Sequence, residues 1–161
     1  MVGGKKLLYS IVNDVTERRY AEDALRQSEE RLRMVIHNMP VMLCAFDEQY
    51  NVISWNGMSE RLTGYSAEEV YDGVHTAQMI FSANQPHRAL ADRNLLLNDM
   101  QQGIEWDIVC KDGSTRTISW FNISRDYPIP GWAAWVIGID VTERVRSQRA
   151  LEDSNHSLEQ H

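Results

Sequence analysis

Long apolar runs are missing from this 161-residue chain, and so is any surplus of positive charge. No stretch approaches the ~20 consecutive apolar residues that a membrane-spanning helix needs, so no membrane insertion is expected of this segment. Acidic residues outnumber Lys and Arg by 23 to 16, a net charge of -7. That balance disfavours a nucleic acid or an anionic membrane surface as partner. Cysteine is scarce, with Cys44 and Cys110 alone, which excludes a disulfide framework or a CxxC metal site. Both are expected to be plain buried thiols. There is no phosphate-cradling glycine loop and no Ser/His/Asp order. The histidines at 37, 75, 87, 156 and 161 do not cluster as metal ligands do. Asp47, Glu48, Asp107 and Asp112 fall at turns and strand edges, where carboxylates are solvated. Neither catalysis nor a metal centre is expected. The opening MVGGKKLLYS lacks the apolar core of a signal peptide. With reduced cysteines, this makes the cytoplasm the expected compartment, although a longer parent protein can be membrane-anchored elsewhere.

The chain does have ordinary globular content, 43% hydrophobic and 24% charged, and it has a repeat. DVTER occurs at 14–18 and again at 140–144. Each copy follows an apolar run that reads as a strand, Leu7 to Val12 in the first and WAAWVIGI in the second. Each Asp is expected to cap a helix with a Glu three residues on, Glu17 or Glu143, completing a capping box. The match continues downstream: Ala24 and Leu25 align with Ala150 and Leu151, Ser28 with Ser154, and Leu32 with Leu158. Val15 to Asn38 contains no Gly or Pro and reads as a helix ended by Pro40. At the second junction Asp140 suits the helix dipole, and Thr142 and Arg144 are placed to bond the sheet edge.

Between the helices, VMLCAFDEQYNVISW reads as a hairpin, NGMSERLTG as a short helix closed by Gly64, and SAEEV as a capping box of Ser66 with Glu69. PHRALADRNLLLNDMQQG reads as the longest internal helix, with Leu90, Asn94 and Leu97 on one face. Three strands follow: IEWDIVCKDG ending in an Asp-Gly turn, STRTISWFNISRD, and GWAAWVIGID after the turn YPIPG. Strands grouped at both ends with helices between predict an α+β domain on one antiparallel sheet. Strand parity then separates two faces. Cys44, Phe46, Trp106, Ile108, Cys110, Ile118, Trp120, Asn122, Ala134, Val136 and Gly138 share one. Leu43, Ala45, Val109, Phe121, Ile123, Trp135 and Ile137 share the other, which is also apolar and requires a cover.

In their order and spacing, SEERLRMVIHNMP, FDEQYNVISWNGMSERLTGYSAEEV, CKDGSTRTISW and GIDVTER resemble PAS domains of bacterial multidomain signalling proteins, over about residues 26–146. The resemblance implies a five-stranded antiparallel sheet with short helices on one face, flanked by amphipathic helices. It divides the chain into 1–13, the last strand of an upstream PAS domain with its hairpin turn at Gly3-Gly4; 14–38, a linker helix; 39–140, the PAS domain; and 141–161, a C-terminal signalling helix.

The resemblance further implies a pocket lined by Cys44, Phe46, Leu90, Asn94, Leu97, Trp106, Ile108, Ile118, Trp120, Asn122, Val136 and Gly138. Asp140, Thr142, Glu143 and Arg144 would form the signal junction. The small residues Ala134 and Gly138 leave room inside; the large rings are placed to fill it. The expected function is a sensory and dimerisation module that relays to an output domain in the same polypeptide, a two-component histidine kinase or a diguanylate cyclase. A homodimer is expected through Leu25, Leu32, Val35 and Ile36, through Val145, Leu151 and Leu158, and through the outer face at Phe121, Trp135 and Ile137. A small-molecule ligand is admitted, and no resident cofactor is expected. The alternative is a haem- or flavin-binding (FAD or FMN) redox or gas sensor, with His87 as the haem candidate. FSANQPHR lacks the cysteine that a photochemical flavin adduct needs.

Overall fold

The computed structural model describes residues 3–49, 51–72 and 103–160. They fall into two units, residues 1–37 and 38–161. The first is a single helix, α1 (Gly3–Asn38). Its end just before Pro40 agrees with the sequence, but its beginning does not. Residues 7–12, expected as a strand, are helical, Gly3 and Gly4 lie in the helix rather than in a hairpin turn, and Asp14 lies inside it rather than capping it. The reason is backbone satisfaction. A strand needs neighbours to take its N–H and C=O groups, whereas a helix pairs them within the segment. Thr16 Oγ1 accordingly donates to the Val12 carbonyl one turn back, at 2.8 Å.

The second unit is built on β1 (Met42–Phe46), β2 (Val52–Trp55), α2 (Gly57–Thr63), α3 (Ala67–Asp72), β3 (Ile104–Val109), β4 (Thr115–Asn122), β5 (Ala134–Asp140) and α4 (Thr142–Glu159). The five strands form one antiparallel sheet in the order β2-β1-β5-β4-β3. The last strand therefore lies in the middle, and the chain leaves the sheet from its centre. The β1–β2 turn is tied by Asp47, whose carboxylate accepts from the backbone N–H groups of Gln49 and Asn51, both at 2.9 Å. The β3–β4 turn uses Gly113 at φ 84°, where an L side chain would be strained.

Asn56, following β2, holds α2 to the sheet. Its Oδ1 accepts from the N–H of Leu43 on β1 (2.9 Å) and from the N–H of Ser59 (3.1 Å), and its Nδ2 donates to the Val41 carbonyl (2.9 Å). It thus caps α2 and satisfies buried backbone of β1 with one 3% exposed side chain. Beside it, Trp55 donates its indole N–H to the Tyr65 carbonyl at 3.1 Å and its backbone N–H to the Tyr71 hydroxyl at 3.1 Å. Gly64 closes α2 at φ 78°, and the Ser66–Glu69 capping box opens α3 with bonds of 2.9 and 3.2 Å.

Core packing follows strand parity on β4 and β5, while all five residues of β1 are buried, Leu43 and Ala45 of the opposite face included. Met42, Cys44, Phe46, Ile108, Ile118, Trp120, Ala134 and Val136 are buried in one cluster, joined by Val52, Trp55 and Val70. Gly138 pairs with Trp120 on β4 and Met42 on β1. A Cβ there would lie 2.7 Å from Ile118 Cγ2 and 2.8 Å from the Trp120 ring. The room that glycine leaves is therefore taken by the indole. Gly138→Ala should cost about 1–3 kcal/mol through overpacking and lower the melting temperature by several degrees, read by tryptophan fluorescence. An unchanged melt would mean that the face is not filled at this point.

Candidate functional site

Two places expected from sequence emerge as physical arrangements: the inner sheet face and the β5–α4 junction. On the inner face, Cys44, Phe46, Ile108, Ile118, Trp120, Asn122 and Val136 are all buried, and Trp106 on edge strand β3 is half-buried against them. Leu90, Asn94 and Leu97, and with them His87, lie outside the described residues. Two inner groups are turned to structural use. Burial pushes the Cys44 thiol far above its ordinary pKa, so it stays protonated and unreactive. The Asn122 side-chain Oδ1 accepts from the N–H of Ser124 at 3.0 Å and from its hydroxyl. Ser124 Oγ in turn accepts from the Trp135 N–H at 3.2 Å, so this amide helps organise the turn between β4 and β5. Cys110 is likewise buried, with its thiol donating to the Leu62 carbonyl at 3.2 Å.

The junction is assembled from three strands. Asp140 ends β5 opposite Ile118 of β4. Its Oδ2 accepts from Arg116 Nη1 at 2.8 Å, and its Oδ1 accepts from the Thr142 N–H at 2.9 Å and from the Thr142 hydroxyl. That hydroxyl also accepts from the Thr117 N–H at 3.0 Å, while the Val141 N–H donates to the Thr117 carbonyl at 2.9 Å. Thr117 Oγ1 donates to Asp107 on β3 at 2.6 Å. Within the first turn of α4, Arg144 pairs with Glu105 of β3. Thr142 and Val145 are buried and fix the first turn of the helix. The opening of α4 is thereby joined to β3, β4 and β5 through side chains.

One detail departs from the expected capping box. Val141 occupies the N-cap position of α4 without a side-chain cap bond, and Glu143, with a 91% exposed side chain, faces Arg146 at 3.7 Å. Asp140 is still held in the sheet by its pairing and by Arg116, so its carboxylate reaches only the first helical N–H. The sequence marked Asp140, Thr142 and Arg144 but missed Arg116, Thr117, Asp107 and Glu105. Their charge and hydroxyl chemistry was visible, but their convergence depends on strand register. Asn56 was missed as well, although its place three residues before Ser59 is a helix-start signal.

Burial alone would raise the Asp140 pKa. The bonds from the Thr142 hydroxyl and N–H and from the Arg116 guanidinium outweigh it and hold the carboxyl below its ordinary 3.8. A depressed folded-state pKa contributes stability that is fully present above pH 3.8 and lost as pH falls through the folded value. A carboxyl carbon NMR titration should therefore find Asp140 protonating below 3.8, and Asp140→Asn should flatten the acid limb of the stability curve. A midpoint at or above 3.8 would contradict the network.

Comparison with known proteins gives a consistent match. Residues 30–102 match the sequence profile of the PAS domain family. The PAS domain of an HTR-like protein from Haloarcula marismortui aligns with TM-score 0.53 at 17% identity, over 76% of this chain and 98% of that one. A sensory box histidine kinase/response regulator from Burkholderia thailandensis aligns with TM-score 0.53 at 18% identity, over 81% and 99%. The LOV protein of Rhodobacter sphaeroides aligns with TM-score 0.51 at 18% identity, over 78% and 73%. No curated protein sequence gives a significant match.

Proposed function

We propose that the chain, whose residues 30–102 match the PAS domain profile, is a cytoplasmic sensory and dimerisation module of that family that relays a signal to an output domain in the same polypeptide. The domain does no chemistry of its own. It binds at most a small molecule against the inner face and holds no resident cofactor. The output is a histidine kinase or a diguanylate cyclase. The observation that carries this is the junction. Arg116, Asp140, Thr142 and Thr117, with Glu105 and Arg144 beside them, fix the direction of α4 to three strands of the sheet. Any change that shifts β5 relative to β4 is passed to α4, because the first helical turn has partners on both strands. A ligand or subunit contact that favours one strand arrangement thus biases the helix, and with it the output.

The decisive test uses the full-length parent and an assay of its output. Asp140→Ala removes charge-assisted bonds worth about 2 kcal/mol, a modest part of the ~5–15 kcal/mol that stabilises a domain. The buried core formed by Phe46, Ile108 and Trp120 is untouched. The variant should fold but lose most of its response to the signal. A full response would sink the proposal. An ultraviolet–visible spectrum of the purified protein discriminates the haem or flavin alternative, which requires a bound chromophore.

Dimerisation is the second part of the proposal. Leu25, Leu32 and Val35 of α1 and Leu151 and Leu158 of α4 are exposed large hydrophobics, whereas Val145, expected beside them, is buried at the start of α4 and is not available to a partner. Ile36, Phe121, Trp135 and Ile137 are half-buried. Such surface favours association. Light scattering should return about twice 18.6 kDa, and Leu32→Glu should shift the equilibrium to monomer. A wild-type monomer at high micromolar concentration would refute this part.

A further inference from the structure

Asparagine is followed by glycine once in the chain, at Asn56-Gly57, where β2 hands over to α2. Such a pair is prone to modify itself. The glycine nitrogen, with no Cβ beside it to hinder approach, loses its proton and attacks the asparagine side-chain carbon. The new C–N bond closes a five-membered imide, the side-chain nitrogen leaves as ammonia, and water reopens the ring on either side. The product is aspartate, or isoaspartate, in which the backbone runs through the former side chain. Here the pair is clamped. Asn56 Oδ1 accepts from the Leu43 N–H at 2.9 Å, from the Ser59 N–H at 3.1 Å and from the Ser59 hydroxyl at 2.8 Å, and Nδ2 donates to the Val41 carbonyl at 2.9 Å. The backbone is held as well: the Asn56 N–H donates to the Leu43 carbonyl at 3.4 Å, and the Asn56 carbonyl accepts from the Glu60 N–H at 3.1 Å. Asn56, Gly57 and Ser59 are all buried. Ring closure requires the side-chain amide to turn toward the Gly57 nitrogen, and the bonds to Val41, Leu43 and Ser59 oppose that turn. Burial also keeps out the base and the water that the reaction needs.

We propose that Asn56-Gly57 is a self-modification site gated by the contact of α2 with β1. It is inert while Asn56 bridges Val41, Leu43 and Ser59, and it converts to aspartate or isoaspartate, with uptake of water and loss of ammonia, when the start of α2 lifts from β1. The conversion runs one way. An acid at this position has no N–H for the Val41 carbonyl and sets a negative oxygen against it in a 3% exposed place. Isoaspartate adds a backbone atom between β2 and α2 and shifts one against the other. Either product weakens the anchor that kept the site closed, so each conversion favours the open arrangement. The inference is independent of the relay reading, since it needs no ligand, partner or output domain.

The full chain is incubated at neutral and at mildly alkaline pH, and the proteolytic peptide carrying residue 56 is followed by mass spectrometry. Three samples are compared: native protein, protein unfolded in urea, and Gly64→Ala. Gly64 ends α2 at φ 78° without touching Asn56, and a Cβ there would be strained and would lie 3.2 Å from Lys111 Cβ. Conversion should run at the rate of a free Asn-Gly peptide in the unfolded chain and at least about 100-fold slower in the native protein. Gly64→Ala should speed native conversion by about 5- to 30-fold, the effect of one left-handed L residue on the opening equilibrium. The converted form, separated by its extra charge, should melt lower than the parent and exchange its Leu43 amide faster. If Gly64→Ala fails to fold, wild-type conversion in urea below the unfolding midpoint decides, and it should follow exchange of the Leu43 and Ser59 amides. Native conversion at the free-peptide rate would overturn the proposal, as would a native rate that neither Gly64→Ala nor sub-denaturing urea changes.

Discussion

The Asp140 carboxylate serves three donors at once: the Arg116 guanidinium, the Thr142 N–H and the Thr142 hydroxyl. Because it sits at the end of the central strand, those bonds decide where the chain turns out of the sheet and along which line α4 begins. The same hydroxyl passes the constraint to the backbone of β4, and Thr117 passes it on to Asp107 of β3. A helix start that leaned only on its own cap would be free to swing about a single residue. This one is held by partners on separate strands.

That coupling is useful only if the sheet behaves as one body. The order β2-β1-β5-β4-β3 gives β5 a hydrogen-bonded neighbour on each side, so a displacement on either flank reaches it. Asn56 adds a second anchor on the far side, joining the start of α2 to the backbone of β1. Between these anchors lies the close-packed inner face, where the Trp120 indole fills the space above Gly138. Packed interiors transmit displacement because they compress little, which suits a domain whose proposed product is movement rather than chemistry.

Sequence carried much of this. Period-two alternation sorted Cys44, Phe46, Ile108, Ile118, Trp120 and Val136 onto one face, and all are buried. Local turn and cap chemistry also read true at Gly64, Ser66–Glu69 and Gly113, since each depends on residues within a few positions of one another. The failures share one cause. Whether residues 7–12 form a strand depends on neighbours that local sequence does not supply, and in the described structure the helix prevails. The reciprocal Glu143 cap did not form because Asp140 was already committed to the sheet.

By itself, then, the sequence determined the α+β class, the two faces of the sheet, the turns and the place of the exit helix. These follow from side-chain period and from short-range hydrogen bonding. Only the tertiary structure decided which groups Asp140, Thr142 and Arg144 would meet. Arg116, Thr117 and Glu105 lie more than 20 residues away along the chain, and strand register alone brings them within bonding distance. It also decided that the same five letters would be a helix interior in one place and a sheet-to-helix joint in the other, because a strand exists only where other strands satisfy its backbone.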